Sequence, residues 1–216
     1  MKLYDSIGPN PRLVRIVLLE KGIEVPTEQV DLMGGENRKA AHLARNPAGQ
    51  MPCLELDDGS FVSEITAIAE YLEELHPTPA LIGTTPSERA ETRMWTRRLD
   101  LNVIEPMVAG FRYAEGLPIF KDRIRTIPEA ADGLKALAQD HLAKVDAHLA
   151  DNEWICGDRY SLADVLLYAF LDFAAGVGQP RDPAHTALGA WFDRANARPS
   201  AEASLHPAAA AGGMRA

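Results

Sequence analysis

A turn made of Gly8, Pro9, Asn10 and Pro11 stands at the mouth of a basic, apolar segment near the start of the chain. Gly and Pro end strands, and Pro suits the first position of a helix, so the turn can simply separate two elements. Backbone N–H groups that open a helix also attract anions. The residues leave both interpretations open. The second predicts an anion-binding site about ten residues from the N-terminus.

Other residues with reactive or ligating side chains form no pattern of a metal or cofactor site. Cys53 and Cys156 are far apart, so they predict neither a disulfide framework nor a zinc site. Cys53 follows Pro52 on a predicted buried strand, which favours a place in the core over a nucleophilic role. The six His residues lack metal-binding spacing, and no zinc, flavin or nucleotide motif is present. We therefore expect no metal.

Composition bounds the class of protein. The chain has 216 residues, of which 46% are hydrophobic and 25% charged, enough for one large or two small globular domains. A formal net charge of −9 argues against nucleic acid and anionic membranes as main partners. The apolar runs are too short for a membrane span, and "MKLYDSIG" has no leader pattern. Together with the two cysteines, this predicts a soluble cytoplasmic protein.

The first part of the chain alternates strand and helix patterns. "KLYDS" predicts a strand, and the apolar spacing from Pro11 to Lys21 predicts a helix ended by Gly22. The next segments predict a strand, a polar helix, a hairpin and a closing helix: "TEQVDL", "ENRKAAHLAR", "CLELDD", "FVSE" and "AIAEYLEEL". One crossover followed by a hairpin gives a mixed, four-stranded α/β sheet. This predicts an α/β domain over residues 1–76.

The rest of the chain carries only helical patterns. Residues 77–89 are rich in Pro and Thr and predict a linker. Residues 90–204 predict an all-α bundle whose first long helix is disturbed near Pro106 and Gly110. Ser161 and Asp164 fit a capping box ahead of the most apolar run, which predicts a buried central helix. The tail, residues 205–216, is small and featureless and predicts disorder.

Four motifs in this order resemble the soluble, cytosolic-type glutathione S-transferases over residues 1–204. They are "LYDSIGPNPRLVRIVLLEKGI", "NPAGQMPCLELDDG", "SEITAIAEYLEE", and "GDRYSLADVLLY" with the closing "ARPS". The first is most similar to atypical bacterial and fungal transferases that lack an obvious catalytic Tyr, Ser or Cys. The resemblance implies a thioredoxin-like N-terminal domain that binds glutathione, and an all-α C-terminal helical bundle.

The resemblance also implies where glutathione binds. Gln50, Met51 and Pro52 match the loop in which a cis-proline precedes a strand, so that the Met51 backbone pairs with the cysteinyl unit. Glu64 and Ile65 fall where the family usually has Glu-Ser at a helix mouth, which binds the γ-glutamyl end. Ile65 removes one side-chain hydrogen bond, worth roughly 0.5–1.5 kcal/mol, so we expect binding to survive but to weaken.

Donors for the glycyl carboxylate of glutathione are expected in the segment after the second strand. Asn37 stands where many relatives have His, and Arg38 and Lys39 follow it. Lys39 is our choice among them, with Gln50 as a further donor.

The thiol of glutathione needs a group that stabilises its ionised form. In the family, the resemblance implies, a Tyr, Ser or Cys near the end of the first strand does this; here none of these stands in the usual register, and the best counterpart is Asn10, flanked by prolines. An Asn amide cannot act as a base, but it can donate to a thiolate, and the helix dipole adds positive potential. Tyr4 and Ser6 are the rival candidates, in that order.

The acceptor substrate is expected over the thiolate, against the bend from Met107 to Leu117. Met107 and Phe111 would supply apolar contacts, Arg112 a charge for a developing anion, and Tyr113 a polar contact or a bound water. Simple packing of the bend is an equally good interpretation of these residues.

The leading hypothesis is a glutathione transferase that attacks hydrophobic electrophiles in detoxification, with glutathione as co-substrate. The long helix carrying Arg93, Arg97 and Asp100, together with the family resemblance, predicts a homodimer. One alternative is glutathione-dependent reduction of disulfides or peroxides. Another is a non-catalytic protein of the same fold that binds glutathione or another ligand.

Overall fold

The computed structural model describes residues 1–209 and 215, and the chain falls into two compact units. The first unit comprises Met1–Ala80 together with the described residues from Pro199 onward. The second unit is Leu81–Arg198.

The first unit is built on a four-stranded mixed sheet. Its strands are β1 (Lys2–Asp5), β2 (Thr27–Gln29), β3 (Cys53–Glu55) and β4 (Phe61–Ser63). They lie in the order β2-β1-β3-β4, with β1 parallel to β2 and the other neighbouring pairs antiparallel. The helices of the unit are α1 (Pro9–Lys21), α2 (Ala40–Leu43), α3 (Ile65–Leu75) and α10 (Pro199–Ala203). The mixed sheet therefore matches the fold class predicted from the sequence.

Helix α1 begins two residues before the predicted start at Pro11. Gly8 precedes it with φ 128°, a conformation that favours glycine, and its carbonyl accepts the N–H of Arg12 at 3.1 Å. Of the first three residues of α1, only Asn10 has a peptide N–H, because Pro9 and Pro11 have none. At the other end Gly22 adopts the left-handed conformation with φ 63°, as its predicted role as a C-cap requires.

The predicted polar helix over residues 36–45 is shorter and broken. A single 3₁₀ turn (Glu36–Arg38) is followed by extended backbone at Lys39 and then by α2. Most of the segment is exposed, but Asn37 and His42 are buried, so not every polar residue in it faces solvent.

The second unit is helical apart from isolated β-bridges over residues 154–159. Its helices are α4 (Pro86–Leu99), α5 (Glu105–Tyr113), α6 (Leu117–Phe120), α7 (Ala131–Leu149), α8 (Leu162–Gly176) and α9 (Thr186–Asn196). A 3₁₀ turn (Pro128–Ala130) precedes α7. The second unit thus has the all-α architecture predicted for it.

A π-helical turn (Asp100–Ile104) joins α4 to α5. The N–H of Glu105 reaches back five residues to the carbonyl of Asp100, just before Pro106, which has no N–H to donate. This is the disturbance predicted near Pro106. The second predicted disturbance, at Gly110, is wrong: α5 continues through it, and an added Cβ there would lie 2.7 Å from Lys135 Cγ on α7. Gly110 serves close packing of two helices.

Helix α8 is the buried centre of the second unit. Its residues from Leu162 to Ala174 are all buried, as the apolar pattern predicted. The Asp164 carboxylate accepts hydrogen bonds from the Ser161 N–H, the Ile155 N–H and the Trp191 indole, each at 2.9 Å. The predicted capping box is present, and its carboxylate also ties the preceding loop and α9 to α8.

The chain returns to the first unit after α9. The fully buried Arg12 side chain donates to the Ala201 carbonyl at 2.9 Å and to the Ser204 hydroxyl at 3.2 Å. These bonds explain why residues from Pro199 onward group with the first unit, although 199–204 was predicted to be part of the helical domain. Of the tail predicted to be disordered, residues 210–214 and 216 lie outside the described residues.

Among the described residues, no helix is both long and apolar enough to cross a bilayer.

Candidate functional site

Two of the three candidates for thiol activation are buried at the end of β1. The Tyr4 hydroxyl donates to the Glu55 carboxylate at 2.7 Å, and the Ser6 hydroxyl donates to the Val30 carbonyl at 2.7 Å. Burial, together with the bond to Glu55, raises the pKa of the Tyr4 phenol. Tyr4 therefore stays protonated at neutral pH, and both hydroxyl groups are engaged inside the first unit.

Asn10 lies in the first turn of α1 and differs from both hydroxyl residues. It is partly exposed, and neither its side-chain amide nor its peptide N–H has a partner among the described residues. The positive end of the α1 dipole adds to these two donors. This corner of the first unit can therefore hold an anion with a side-chain donor, a backbone donor and a helix terminus.

The loop before β3 presents an unpaired stretch of backbone. The Met51–Pro52 peptide bond is cis, as predicted, and β3 starts directly after it at Cys53. Within the described chain, neither the N–H nor the carbonyl of Met51 takes part in a hydrogen bond. Met51 thus offers one donor and one acceptor to an extended peptide, as the edge of a sheet does.

The mouth of α3 is a second group of free donors. Glu64 is exposed and is the one non-glycine residue with positive φ in the described chain, at 70°. Its carbonyl accepts from the Ile68 N–H at 2.9 Å, whereas no side chain caps the helix. The N–H groups of Ile65, Thr66 and Ala67 at the start of the helix therefore have no partner among the described residues, and they lie beside the Glu64 carboxylate. Such a corner suits a ligand end that carries both a carboxylate and an ammonium group.

Of the residues predicted to bind the glycyl carboxylate, two are exposed and one is buried. Lys39 and Gln50 are exposed, which leaves their side chains able to reach a ligand. The Asn37 side chain is buried, and its amide N–H donates to the Gly49 carbonyl at 2.6 Å. That N–H group holds the loop and is not open to a carboxylate.

The residues predicted to contact the acceptor substrate lie together on α5. Met107 is buried, while Phe111, Arg112 and Tyr113 are half-buried. The Phe111 ring packs edge-on against Phe173 at 5.2 Å between centroids. The helix thus brings these four predicted residues to one segment of the second unit and packs Phe111 into it.

Sequence reasoning missed three buried or partly buried polar residues next to the candidate site. His42 and Asn46 contact the Gln50 carbonyl, while Arg15 donates to Asp5 at 2.8 Å and to the Ser6 carbonyl at 3.0 Å. Asn46 before Pro47 is a turn signal that could have drawn attention. The arginines of α1 gave no such signal, because a basic helix face ordinarily predicts contact with solvent.

Two family models and a curated relative match the chain over most of its length. The family model described as "Glutathione S-transferase, N-terminal domain" matches residues 7–75, and that described as "Glutathione S-transferase, C-terminal domain" matches residues 117–199. "Glutathione S-transferase 2" of Saccharomyces cerevisiae is 36% identical over 212 residues, which cover 95% of this chain and 89% of the relative.

Two solved structures are similar over nearly the whole chain. The crystal structure of Gtt2 from Saccharomyces cerevisiae superposes with a TM-score of 0.89 at 35% identity, covering 95% of this chain and 100% of that one. The structure of a glutathione S-transferase domain-containing protein from Marinobacter aquaeolei gives 0.88 at 39% identity, covering 93% and 99%.

Proposed function

This chain belongs to the glutathione S-transferase family, and we propose that it activates the glutathione thiol with the Asn10 amide and the N-terminus of α1. The family resemblance drawn from the sequence and the predicted fold class are thereby confirmed. Glutathione transferase is the activity that this membership supports.

Three groups of the first unit would hold the tripeptide. The unpaired Met51 N–H and carbonyl would pair with its cysteinyl unit next to Pro52. The Glu64 carboxylate would take the γ-glutamyl ammonium, and the free N–H groups that start at Ile65 would take the α-carboxylate. Lys39 and the Gln50 side chain would hold the glycyl carboxylate, and the buried Asn37 would support the loop instead.

The observation that carries the proposal is the contrast among the three candidate activators. The Tyr4 and Ser6 hydroxyl groups each donate to an internal acceptor, whereas the Asn10 amide has no partner in the described chain. A thiolate beside Asn10 would accept from this amide and lie at the positive end of the helix dipole. The Asn10 side chain acts here as a hydrogen-bond donor, since an amide cannot take the proton.

The size of the required effect is modest. A thiol with a pKa of about 8.5 is roughly 3% ionised at pH 7, and one with a pKa of about 6.5 is roughly 75% ionised. The difference corresponds to about 2.7 kcal/mol of selective stabilisation of the thiolate. A hydrogen bond to a charged group contributes about 1.5–3 kcal/mol, and a helix N-terminus about 0.3–1 kcal/mol or more. Their sum, about 1.8–4 kcal/mol, includes the required ~2.7 kcal/mol.

The thiolate sulfur would attack an electrophilic carbon of a hydrophobic acceptor. With a halogenated aromatic compound the new C–S bond forms as halide leaves, and with an activated alkene the resulting carbanion takes a proton. Met107 and Phe111 are proposed as apolar contacts for the acceptor, Arg112 as a contact for developing negative charge, and Tyr113 as a polar contact. We further propose that the protein is a cytoplasmic homodimer and that its reaction serves detoxification.

The test is the ultraviolet absorbance of the bound glutathione thiolate as a function of pH. We expect a thiol pKa of about 6–7 in the wild-type protein, and a value at least one unit higher in Asn10→Ala. Tyr4→Phe and Ser6→Ala are the matched controls, and their thiol pKa should stay close to the wild-type value. A thiol pKa that is unchanged in Asn10→Ala and raised in Tyr4→Phe would transfer the role to Tyr4.

The same protein samples distinguish the alternative functions. Saturable glutathione binding with a thiol pKa near its free value, and no turnover, would replace the proposal with a non-catalytic binding protein. Faster turnover of a glutathione mixed disulfide or a peroxide than of a halogenated aromatic acceptor would make it a reductase.

A further inference from the structure

Three buried polar side chains hold the two carbonyl groups that precede Met51. Asn37 Nδ2 donates to the Gly49 carbonyl at 2.6 Å, and Asn46 Nδ2 donates to the Gln50 carbonyl at 3.0 Å. The His42 ring lies with its Nε2 3.2 Å from the same Gln50 oxygen. The three residues are 2–5% exposed. The Gln50 carbonyl therefore receives two side-chain donors from inside the first unit.

This arrangement leaves other polar atoms without partners. A carbonyl oxygen only accepts, so in this contact the His42 ring donates from Nε2. His42 Nδ1 and Asn37 Oδ1 are both buried and lack hydrogen bonds among the described residues. Unpaired buried polar atoms are costly, and apolar residues of similar size would fill the space without that cost. What the three side chains add is a fixed orientation of the loop backbone.

The orientation that they fix is that of the Met51 N–H. The Gln50 carbonyl and the Met51 N–H belong to one planar trans peptide unit, so they point in opposite directions. Two donors that hold the oxygen toward the interior therefore direct the N–H outward, where it has no partner in the described chain. Hydrogen bonds to a carbonyl also polarise the peptide unit and strengthen its N–H as a donor.

We propose that His42 and Asn46 are positioning residues that preset the Gln50–Met51 peptide unit for the cysteinyl backbone of glutathione. The inference rests on the proposed function. It adds two residues that raise the affinity for glutathione by orienting the backbone that binds it. Neither side chain would touch the ligand. Their loss should weaken binding of glutathione while leaving the ionisation of its bound thiol unchanged, since Asn10 and α1 are separate from this loop.

The test compares variants of the full chain with side chains of similar size that keep or remove the donor. His42→Phe removes the ring N–H, His42→Gln keeps an amide donor, and Asn46→Asp places an acceptor against the Gln50 oxygen. Glutathione affinity is measured by titration calorimetry, and KM for glutathione and kcat with 1-chloro-2,4-dinitrobenzene. We expect His42→Phe and Asn46→Asp to raise Kd and KM at least tenfold, with kcat and the bound thiol pKa within twofold and 0.3 units of wild type. His42→Gln should stay within threefold in Kd.

Ser204→Ala is the control for a merely structural loss. It removes buried hydrogen bonds of the same unit at a site outside this loop, and its Kd for glutathione should not change. If His42→Phe and Asn46→Asp lower the unfolding midpoint as Ser204→Ala does and bind glutathione like wild type, the positioning role is wrong. If His42→Phe does not fold, Asn46→Asp and Asn46→Ser decide by the same criterion. A wild-type chain that does not bind glutathione would instead overturn the proposed function, and this inference with it.

Discussion

At the scale of single residues, the arrangement of hydrogen bonds decides which side chain can act on a ligand. Tyr4 and Ser6 are of the types that transferases use, but each hydroxyl group donates to an internal acceptor. Asn10 is a less reactive type of residue, and its amide is unengaged within the described chain. Our proposed choice of Asn10 among the three therefore rests on hydrogen-bond partners and exposure, and not on residue type.

The two cysteines give a prediction at this scale. Burial raises the pKa of the Cys53 thiol to about 11 and also raises that of Cys156, and both side chains are buried. At pH 8 the thiolate fraction of Cys53 is then about one in a thousand. This fraction increases roughly tenfold with each unit of pH up to the pKa. We expect Ellman's reagent to react with no thiol of the native protein within minutes at pH 8. In guanidinium it should react with two thiols per chain.

Single-cysteine variants assign any slow reaction. Cys53→Ser and Cys156→Ser should each show one thiol after unfolding and none before. Fast stoichiometric labelling of either variant at pH 8 would contradict the buried, protonated state. It would also mean that thiolate absorbance in the protein does not report bound glutathione alone.

At the scale of elements, two glycines differ in whether the local backbone requires them. Gly83, just before α4, has φ 121°, and an added Cβ would lie 2.5 Å from Glu88 Cβ. Gly189, inside α9, has open space where a Cβ would stand. We expect Gly83→Ala to lower the free energy of unfolding by about 2 kcal/mol or more. Gly189→Ala should raise it by about 0.4–1 kcal/mol.

Urea unfolding monitored by circular dichroism measures both changes, with the denaturant slope m as an internal check. Opposite signs are the expected result, although the substitution is the same. Stabilisation by Gly83→Ala would show that the backbone before α4 is not constrained as described. Destabilisation by Gly189→Ala would show that α9 has a neighbour at this face.

Elements with one strong periodicity could be predicted from the sequence, and elements built on buried polar contacts could not. The apolar run of α8 and its Asp164 cap were both recognisable, because burial and capping leave direct patterns. The predicted start of α1 was wrong by two residues. Both Pro9 and Pro11 fit in the first turn of the helix, where a missing N–H costs no intrahelical bond. His42 and Asn46 have the composition of a solvated loop, so only their partners show that they are buried.

At the scale of the whole molecule, the first unit contains both ends of the described chain. Arg12 is fully buried, and its guanidinium donates to Ala201, to Ser204 and to the Arg215 carbonyl at 2.9 Å. Arg15 adds a bond of 2.7 Å to the Ser204 carbonyl. The turn that carries Asn10 thus begins a helix whose arginines are paired with residues nearly two hundred positions later.

A chain that ends at Arg198 tests how far the first unit depends on this segment. Truncation leaves the buried Arg12 charge without three acceptors, so we expect the free energy of unfolding to fall by about 3 kcal/mol or more. Arg12→Met should recover part of that loss in the truncated chain and should destabilise the full chain. Circular dichroism in urea measures all four proteins, and equal effects of Arg12→Met in both backgrounds would show that the segment is not coupled to Arg12.

The order of synthesis follows from the same pairing of the two ends. Residues up to Ala80 leave the ribosome first, but the acceptors for Arg12 are made only after the whole helical unit has been translated. At about 5–20 residues per second, translation of the helical unit between them takes roughly 6–24 s. During that interval the nascent first unit lacks these acceptors for the Arg12 side chain, so the helical unit can complete its fold before the first unit does.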